Sequence, residues 1–137
     1  MDDKQLVALA YEARERAYAP YSNFTVGAAL LDADGRVWQG CNIENAAFGP
    51  SICAERTAFF KAVSEGVREF TAIAVLGGPV GGEIDPYTAP CGVCRQVMRE
   101  FCHVDSFRII LAASRDEFRS HTLGELLPAS FGPENLA

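Results

Sequence analysis

Cys53-Ala54-Glu55-Arg56 and Pro90-Cys91-Gly92-Val93-Cys94 are the stretches on which the reading of this chain turns. Each puts cysteine at the start of a run with helical periodicity, just after a loop-like stretch. From Ser51, a candidate N-cap, the pattern predicts a helix continued by Ala54, Thr57, Ala58, Phe59, Ala62 and Val63 and stopped at Gly66. From Cys91 to His103 the spacing predicts a second helix, with Val93, Val97, Met98 and Phe101 facing inward. Two helix starts that carry cysteines can converge on one point, and the fold must be one that allows it.

Working outward, Phe70 to Leu76 and Phe107 to Ala112 are short apolar runs suited to buried strands. Between them, Gly77 to Ala89 holds four glycines and two prolines and is expected to be a loop. Upstream, Val26 to Leu31, the turn Asp32-Ala33-Asp34-Gly35 and Arg36 to Cys41 read as a β-hairpin. Leu6, Val7, Leu9, Ala10, Ala13, Ala17 and Tyr18 recur at helical spacing and predict an amphipathic helix over residues 3–18, ended by Pro20. Residues 42–50 form a polar loop that stops at Gly49-Pro50, and Thr122 to Leu127 predicts a short capped helix ended by Pro128. Strands alternate with helices after the hairpin, which points to the α/β class, a mixed sheet with helices on both faces. No internal repeat or low-complexity segment interrupts the pattern.

The length of 137 residues fits one domain, 1–137, large enough for an ordinary hydrophobic core. Apolar residues make up 49% and charged residues 22%, a globular profile. Eighteen acidic against twelve basic residues give a net charge of −6, which argues against a nucleic-acid polymer or an anionic membrane as partner. No apolar run approaches the roughly 20 residues of a membrane span, and Met1-Asp2-Asp3-Lys4 lacks the features of a signal peptide, so a cytoplasmic protein is expected. Five cysteines are an odd number for a disulfide framework, and they favour metal binding or inert burial.

Alone, a C-x-x-C pair marks a redox dithiol, half of a structural zinc site or two buried cysteines. With Cys53 added, three thiolates can share one Zn²⁺ and leave a fourth position for water, as catalytic zinc requires. Among candidates for a fourth protein ligand, Cys102 would lie about 12 Å along the helix from Cys94 at about 1.5 Å per residue, too far to share the ion, and His103 with it. Cys41 and His121 remain open on spacing, which keeps a closed structural site as the rival reading. Three thiolates around Zn²⁺ sum to −1, which weakens the pull on a bound water. Two helix N-termini and Arg56, three residues after Cys53 on the same face, can offset that charge. Glu55 beside such a site can move protons; its bland alternative is an acid that complements the helix dipole.

The stretches Tyr18-Ala19-Pro20-Tyr21-Ser22-Asn23-Phe24, Gly40-Cys41-Asn42-Ile43-Glu44-Asn45-Ala46, Cys53-Ala54-Glu55-Arg56-Thr57-Ala58 and Leu126-Leu127-Pro128-Ala129-Ser130-Phe131-Gly132, together with P-C-x-x-C, resemble the small homotetrameric, zinc-dependent cytidine deaminases. The resemblance spans nearly the whole chain. It implies a three-layer α/β/α fold with a mixed five-stranded sheet, and hydrolytic deamination of cytidine and 2′-deoxycytidine in pyrimidine salvage. It also implies one Zn²⁺ per chain on Cys53, Cys91 and Cys94, with Glu55 as the proton shuttle. Asn42 and Glu44 resemble the pair that holds the ribose 3′-hydroxyl, Phe24 an aromatic wall of the pocket, and Ala54 the position whose backbone meets the pyrimidine edge. Phe131 resembles the aromatic that a neighbouring subunit lends, which implies a homotetramer with shared active sites.

Asn and Glu two apart on an extended loop project the same way, as a hydroxyl-binding pair should. For Phe24 and Phe131 the plain alternative is core or interface packing. Two departures stand out: the 77–89 loop is longer than usual, and Thr88-Ala89 precede Pro90 where serine is commoner. The extra residues read as a surface or rim elaboration that leaves substrate breadth open. The competing functions are a deaminase of another cytosine nucleoside derivative and a zinc-stabilised binding module without chemistry.

Overall fold

Ala72-Ile73-Ala74-Val75-Leu76 and Ile109-Ile110-Leu111-Ala112 are apolar at consecutive positions because both faces of the sheet they build are buried. The computed structural model describes all 137 residues. In chain order it comprises α1 (Asp3–Arg14), β1 (Phe24–Asp32), β2 (Val37–Cys41), α2 (Ala54–Ser64), β3 (Phe70–Pro79), α3 (Gly92–Phe101), β4 (Arg108–Ala112), β5 (Phe118–Thr122), α4 (Leu123–Leu126) and a 3-10 turn at Pro133–Asn135. The strand order is β2-β1-β3-β4-β5, with β3 and β4 parallel and every other neighbour antiparallel. The expected mixed five-stranded sheet is the one observed.

Alternation along the strands sorts the layers. Ala29, Ala72, Ala74, Leu76, Ile110 and Ala112 face Leu6, Val7 and Ala10 of α1. Ala28, Leu30, Ile73, Val75, Ile109 and Leu111 face Ala58, Phe59 and Ala62 of α2 together with Cys94 and Met98 of α3. Both cysteine-bearing helices thus pack on one face, and a parallel β3–β4 pair needs a crossover that α3 supplies. Phe59 fastens that layer, its ring centroid 5.0 Å from Phe70 and 6.2 Å from both Phe101 and Phe107. Burying a ring of this kind contributes about 1.5–3 kcal/mol. The approach of β2 to α2 depends on Gly40, where a Cβ would stand 2.3 Å from the Ala54 carbonyl oxygen. The Thr57 hydroxyl, donating to the Cys41 carbonyl at 3.0 Å, ties the same helix start to the end of β2.

Several boundaries differ from the sequence expectation. The helix α1 ends at Arg14, not at residue 18, because Tyr18 leaves to pair with the functional loop: its N–H donates to Asn42 O at 2.9 Å and its carbonyl accepts from Glu44 N at 2.8 Å. Gly77 and Gly78 belong to β3, not to a loop, because β1 runs alongside and pairs them with Val26 and Thr25. Strand β5 has no apolar signature: it is a polar edge strand, Phe-Arg-Ser-His-Thr, held by its ladder to β4. The α2 N-cap is Cys53, not Ser51, whose hydroxyl instead accepts from Asn45 N. In α3, Val93 is 58% exposed and not inward, while Cys94 and Met98 are buried. The short capped helix appears as expected, α4, with a capping box between Thr122 and Glu125. No helix is long and apolar enough to cross a membrane.

The β1–β2 turn is organised by Asp32, a buried carboxylate that accepts from Trp38 Nε1 at 3.0 Å, Asp34 N at 2.9 Å and Arg36 N at 3.0 Å. Burial opposes its charge, but the hydrogen bonds from Trp38, Arg36 and Asp34 outweigh burial and hold its pKa below the ordinary 3.8. Asp32→Asn should lower unfolding free energy by about 1.5–3 kcal/mol near neutral pH, the range for a hydrogen-bonded charge. A folded-state pKa below the unfolded one means this contribution is present above pH 3.8 and lost as pH falls further. Urea titrations of both proteins should therefore diverge at pH 7 and converge only as pH falls below 3.8.

Candidate active site

Cys53 and Cys91 hold equivalent places in the fold. Each is the N-cap of its helix, with extended backbone (φ −78°, ψ 156° and φ −70°, ψ 169°), and neither side chain caps its own helix. Both thiols are therefore free to turn toward one point, where Cys94 reaches them from the first turn of α3. The Cys53–Cys91 sulfurs are 3.9 Å apart and the Cys91–Cys94 sulfurs 3.5 Å, and all three lie within 4.8 Å of one another. A tetrahedral zinc with Zn–S bonds of about 2.3 Å has sulfur–sulfur edges of about 3.8 Å, so the spacing fits. Only these three residues form such a group; Cys41, Cys102, His103 and His121 do not join it. Three thiolates with one open position make a donor set for a zinc that also takes a non-protein ligand.

The sulfurs sit at the positive ends of two helices of 11 and 10 residues. Arg56 adds a full charge, its Nη2 donating to Cys53 Sγ at 3.3 Å, while its Nε is buried without a partner. The Cys53 thiol is pulled down to about 5, first by its hydrogen bond with Cys94 and then by Arg56. Cys94 is pushed up, first by its contact with Cys53 and then by burial. Burial alone pushes the Cys102 thiol up, as suits an inert core residue.

Glu55 follows Cys53 by two residues, which on a regular helix would turn it away. Because Cys53 lies outside the helix in extended conformation, the chain bends at that point and both side chains reach the same cavity. Glu55 is 4% exposed, and burial pushes its carboxyl up to about 7. The cavity measures about 440 Å³, and its lining includes Phe24, Asn42, Glu44, Cys53, Ala54, Glu55, Arg56 and Cys91. Cys94 lies behind that lining. A larger hollow of about 580 Å³ near Arg14, Tyr18 and Gly82 contains none of the three cysteines.

Asn42 and Glu44 are held by backbone on the cavity wall. Asn42 accepts from Val26 N and donates to Phe24 O, both at 2.8 Å, which leaves one amide hydrogen and one lone pair. Glu44 accepts from Tyr21 N and Ser22 N at 3.0 Å and from the Ser22 hydroxyl, which leaves room for one more donor. Phe131 does not line this cavity and is 58% exposed. The cavity also includes Phe48, Ser51, Thr88 and Ala89, which the sequence reading did not place in the site. Thr88 and Ala89 were legible as the residues before Pro90-Cys91, and the structure makes them wall, not rim alone. Phe48 carried no signal beyond being an aromatic in a polar loop.

Residues 1–110 match the family model described as the cytidine and deoxycytidylate deaminase zinc-binding region. A cytidine deaminase of Sporosarcina psychrophila is 49% identical over 140 residues, covering 100% of this chain and 96% of that protein. One from Halalkalibacterium halodurans is 48% identical, covering 99% and 98%. The crystal structure of cytidine deaminase from Burkholderia pseudomallei superposes with a TM-score of 0.86 at 48% identity, over 96% of this chain and 100% of that one. The structure from Mycobacterium tuberculosis gives 0.79 at 38% identity, over 96% and 98%.

The thiolate cluster should bind one zinc per chain by atomic absorption, and Cys94→Ala should abolish it. Arg56→Gln should keep the ion but weaken its affinity about 10- to 100-fold in chelator competition, the usual cost of losing a hydrogen bond to a ligand atom.

Proposed function

This chain belongs to the cytidine and deoxycytidylate deaminase family, and we propose that it hydrolyses cytidine and 2′-deoxycytidine to uridine and 2′-deoxyuridine with release of ammonia. The observation that carries this reading is a buried carboxylate, Glu55, opening on the same cavity as the metal-ligating sulfurs of Cys53 and Cys91. Bound zinc would be held by Cys53, Cys91 and Cys94, and it supplies the Lewis acidity that brings the pKa of water toward about 7.

Glu55 does the proton work. It accepts a proton from water as the oxygen adds to C4 and delivers it to N3 of the ring. It then takes the remaining proton of the added oxygen as the C4 carbonyl forms and gives it to the 4-amino group, which departs as ammonia as its bond to C4 breaks. A carboxylate that burial pushes up from its ordinary 4.5 to about 7 suits both directions of transfer near neutral pH. Arg56 and the two helix ends offset the net charge of the thiolates. Asn42, with an amide hydrogen and a lone pair left over, and Glu44, with room for one more donor, hold the 3′-hydroxyl, a group that cytidine and 2′-deoxycytidine share. Phe24 flanks the base and sugar, and the Ala54 backbone meets the pyrimidine edge.

The assembly is a homotetramer in which Phe131 of one subunit closes the base pocket of another. Supporting this, Phe131 lies apart from its own cavity, and Phe48 at the cavity wall is 96% exposed. Residues 1–137 act as one catalytic domain, and five free cysteines suit a reducing cytoplasm.

Cytidine incubated with the zinc-loaded protein should lose its ultraviolet band in step with ammonia release, and Glu55→Gln should lower kcat at least about 10²-fold with zinc retained. Activity near the wild-type rate in that variant would remove Glu55 from the chemistry. Light scattering should report four times the chain mass of 14.8 kDa, and an active monomer would refute the shared site.

A further inference from the structure

After α4 the chain turns at Ala129, a non-glycine residue at φ +50°, and runs back over α3. The contacts along that path fall on both sides of one side chain. Arg99 Nε donates to Ser130 Oγ at 2.8 Å, and Gln96 Nε2 donates to the Phe131 carbonyl at 2.9 Å. Gly132 lies so close on the Arg99 guanidinium that a Cβ there would stand 2.2 Å from Cζ. Arg99 then pairs with Glu134, its own side chain only 12% exposed. Ser130, Gly132, Glu134 and the Phe131 carbonyl itself are thus held against α3, yet the Phe131 ring is 58% exposed.

Within one subunit this arrangement has no return. An exposed ring gains little from being ordered, while its segment gives up conformational freedom. The bonds secure where the ring is, not what it packs against.

We propose that Arg99, assisted by Gln96, is a positioning residue for Phe131: by clamping Ser130 and Glu134 onto α3, it pre-organises the ring for insertion over the base in a neighbouring copy's cavity. This rests on the role given to Phe131 above and extends it to the residues that set that role. A ring already ordered loses less freedom when it closes over substrate, so the benefit falls on binding. Arginine suits the task because its fork engages the Ser130 hydroxyl through Nε and Glu134 through a terminal nitrogen at once, a geometry lysine cannot reproduce. The helix that ligates metal at its start through Cys94 thereby also shapes the pocket of another subunit.

The test is a double-mutant cycle on the full zinc-loaded enzyme, with kcat and KM for cytidine measured for wild type, Arg99→Ala, Phe131→Ala and the double variant. Arg99→Ala should raise KM about 2- to 12-fold with kcat within about twofold, the range set by ordering one side chain. Phe131→Ala should raise KM at least as much, and the double variant no further, because Arg99 acts only through the ring. Multiplying effects would overturn the proposal, since Arg99 would then act elsewhere. An unchanged KM in Arg99→Ala beside a raised one in Phe131→Ala would also overturn it while leaving the role of Phe131 intact. An unchanged KM in Phe131→Ala would remove both. If Arg99→Ala loses zinc or fails to fold, Glu134→Gln and Ser130→Ala break the same clamp from the other side and take its place in the cycle.

Discussion

The structure depends on two helix N-termini meeting at one point. Cys53 and Cys91 arrive as N-caps and Cys94 from one turn in, which gathers three sulfurs at the positive ends of α2 and α3. Such a meeting demands that both helices lie on the same face of the sheet and start at the same end. The parallel β3–β4 pair puts α3 there by the crossover it requires, and Phe59, stacked among Phe70, Phe101 and Phe107, locks α2 beside it. Gly40 lets β2 close against the first turn of α2. The apolar layer sets where the helices point, and the sulfurs follow.

That convergence also governs the electrostatics. Three thiols in contact cannot all ionise unaided: their mutual contact holds Cys53 below and Cys94 above the ordinary thiol value. A divalent cation held by the three sulfurs would resolve the conflict, and Arg56 with the helix ends offsets the negative charge that would remain. The same bend at Cys53 that frees its sulfur brings Glu55 into the cavity, so a sulfur of the cluster and the buried carboxylate come from one local departure from helical geometry.

The walls of the cavity are built on a different plan. Asn42 and Glu44 stand on a loop, yet each is fixed by backbone groups of β1 or of residues 21–22, which gives loop residues the precision of strand residues. On the far side, Arg95 binds the Pro90 carbonyl at 2.7 Å and the Leu126 carbonyl at 2.6 Å, securing the approach to Cys91. Arg95, Gln96 and, a turn later, Arg99 thus tie the loop before Cys91 and the C-terminal segment to α3 through polar bonds.

Much of this was legible in the residues alone. Helical period, apolar runs and turn chemistry identify the hairpin, the helices and the buried strands, because those elements are specified by which side chains must avoid water. The clustering of Cys53, Cys91 and Cys94 is legible because chemistry that needs several thiolates demands them at particular spacings. What tertiary structure alone decided are the places where a neighbour, not local preference, sets the backbone. Strand β5 and the glycine end of β3 exist because a partner strand completes their hydrogen bonds; α1 stops at Arg14 because Tyr18 pairs with the loop at Asn42 and Glu44. The direction of Glu55, the entry of Thr88 and Ala89 into the wall, and the clamp of Arg99 on the Phe131 segment likewise join residues distant in sequence, and no periodicity records such contacts.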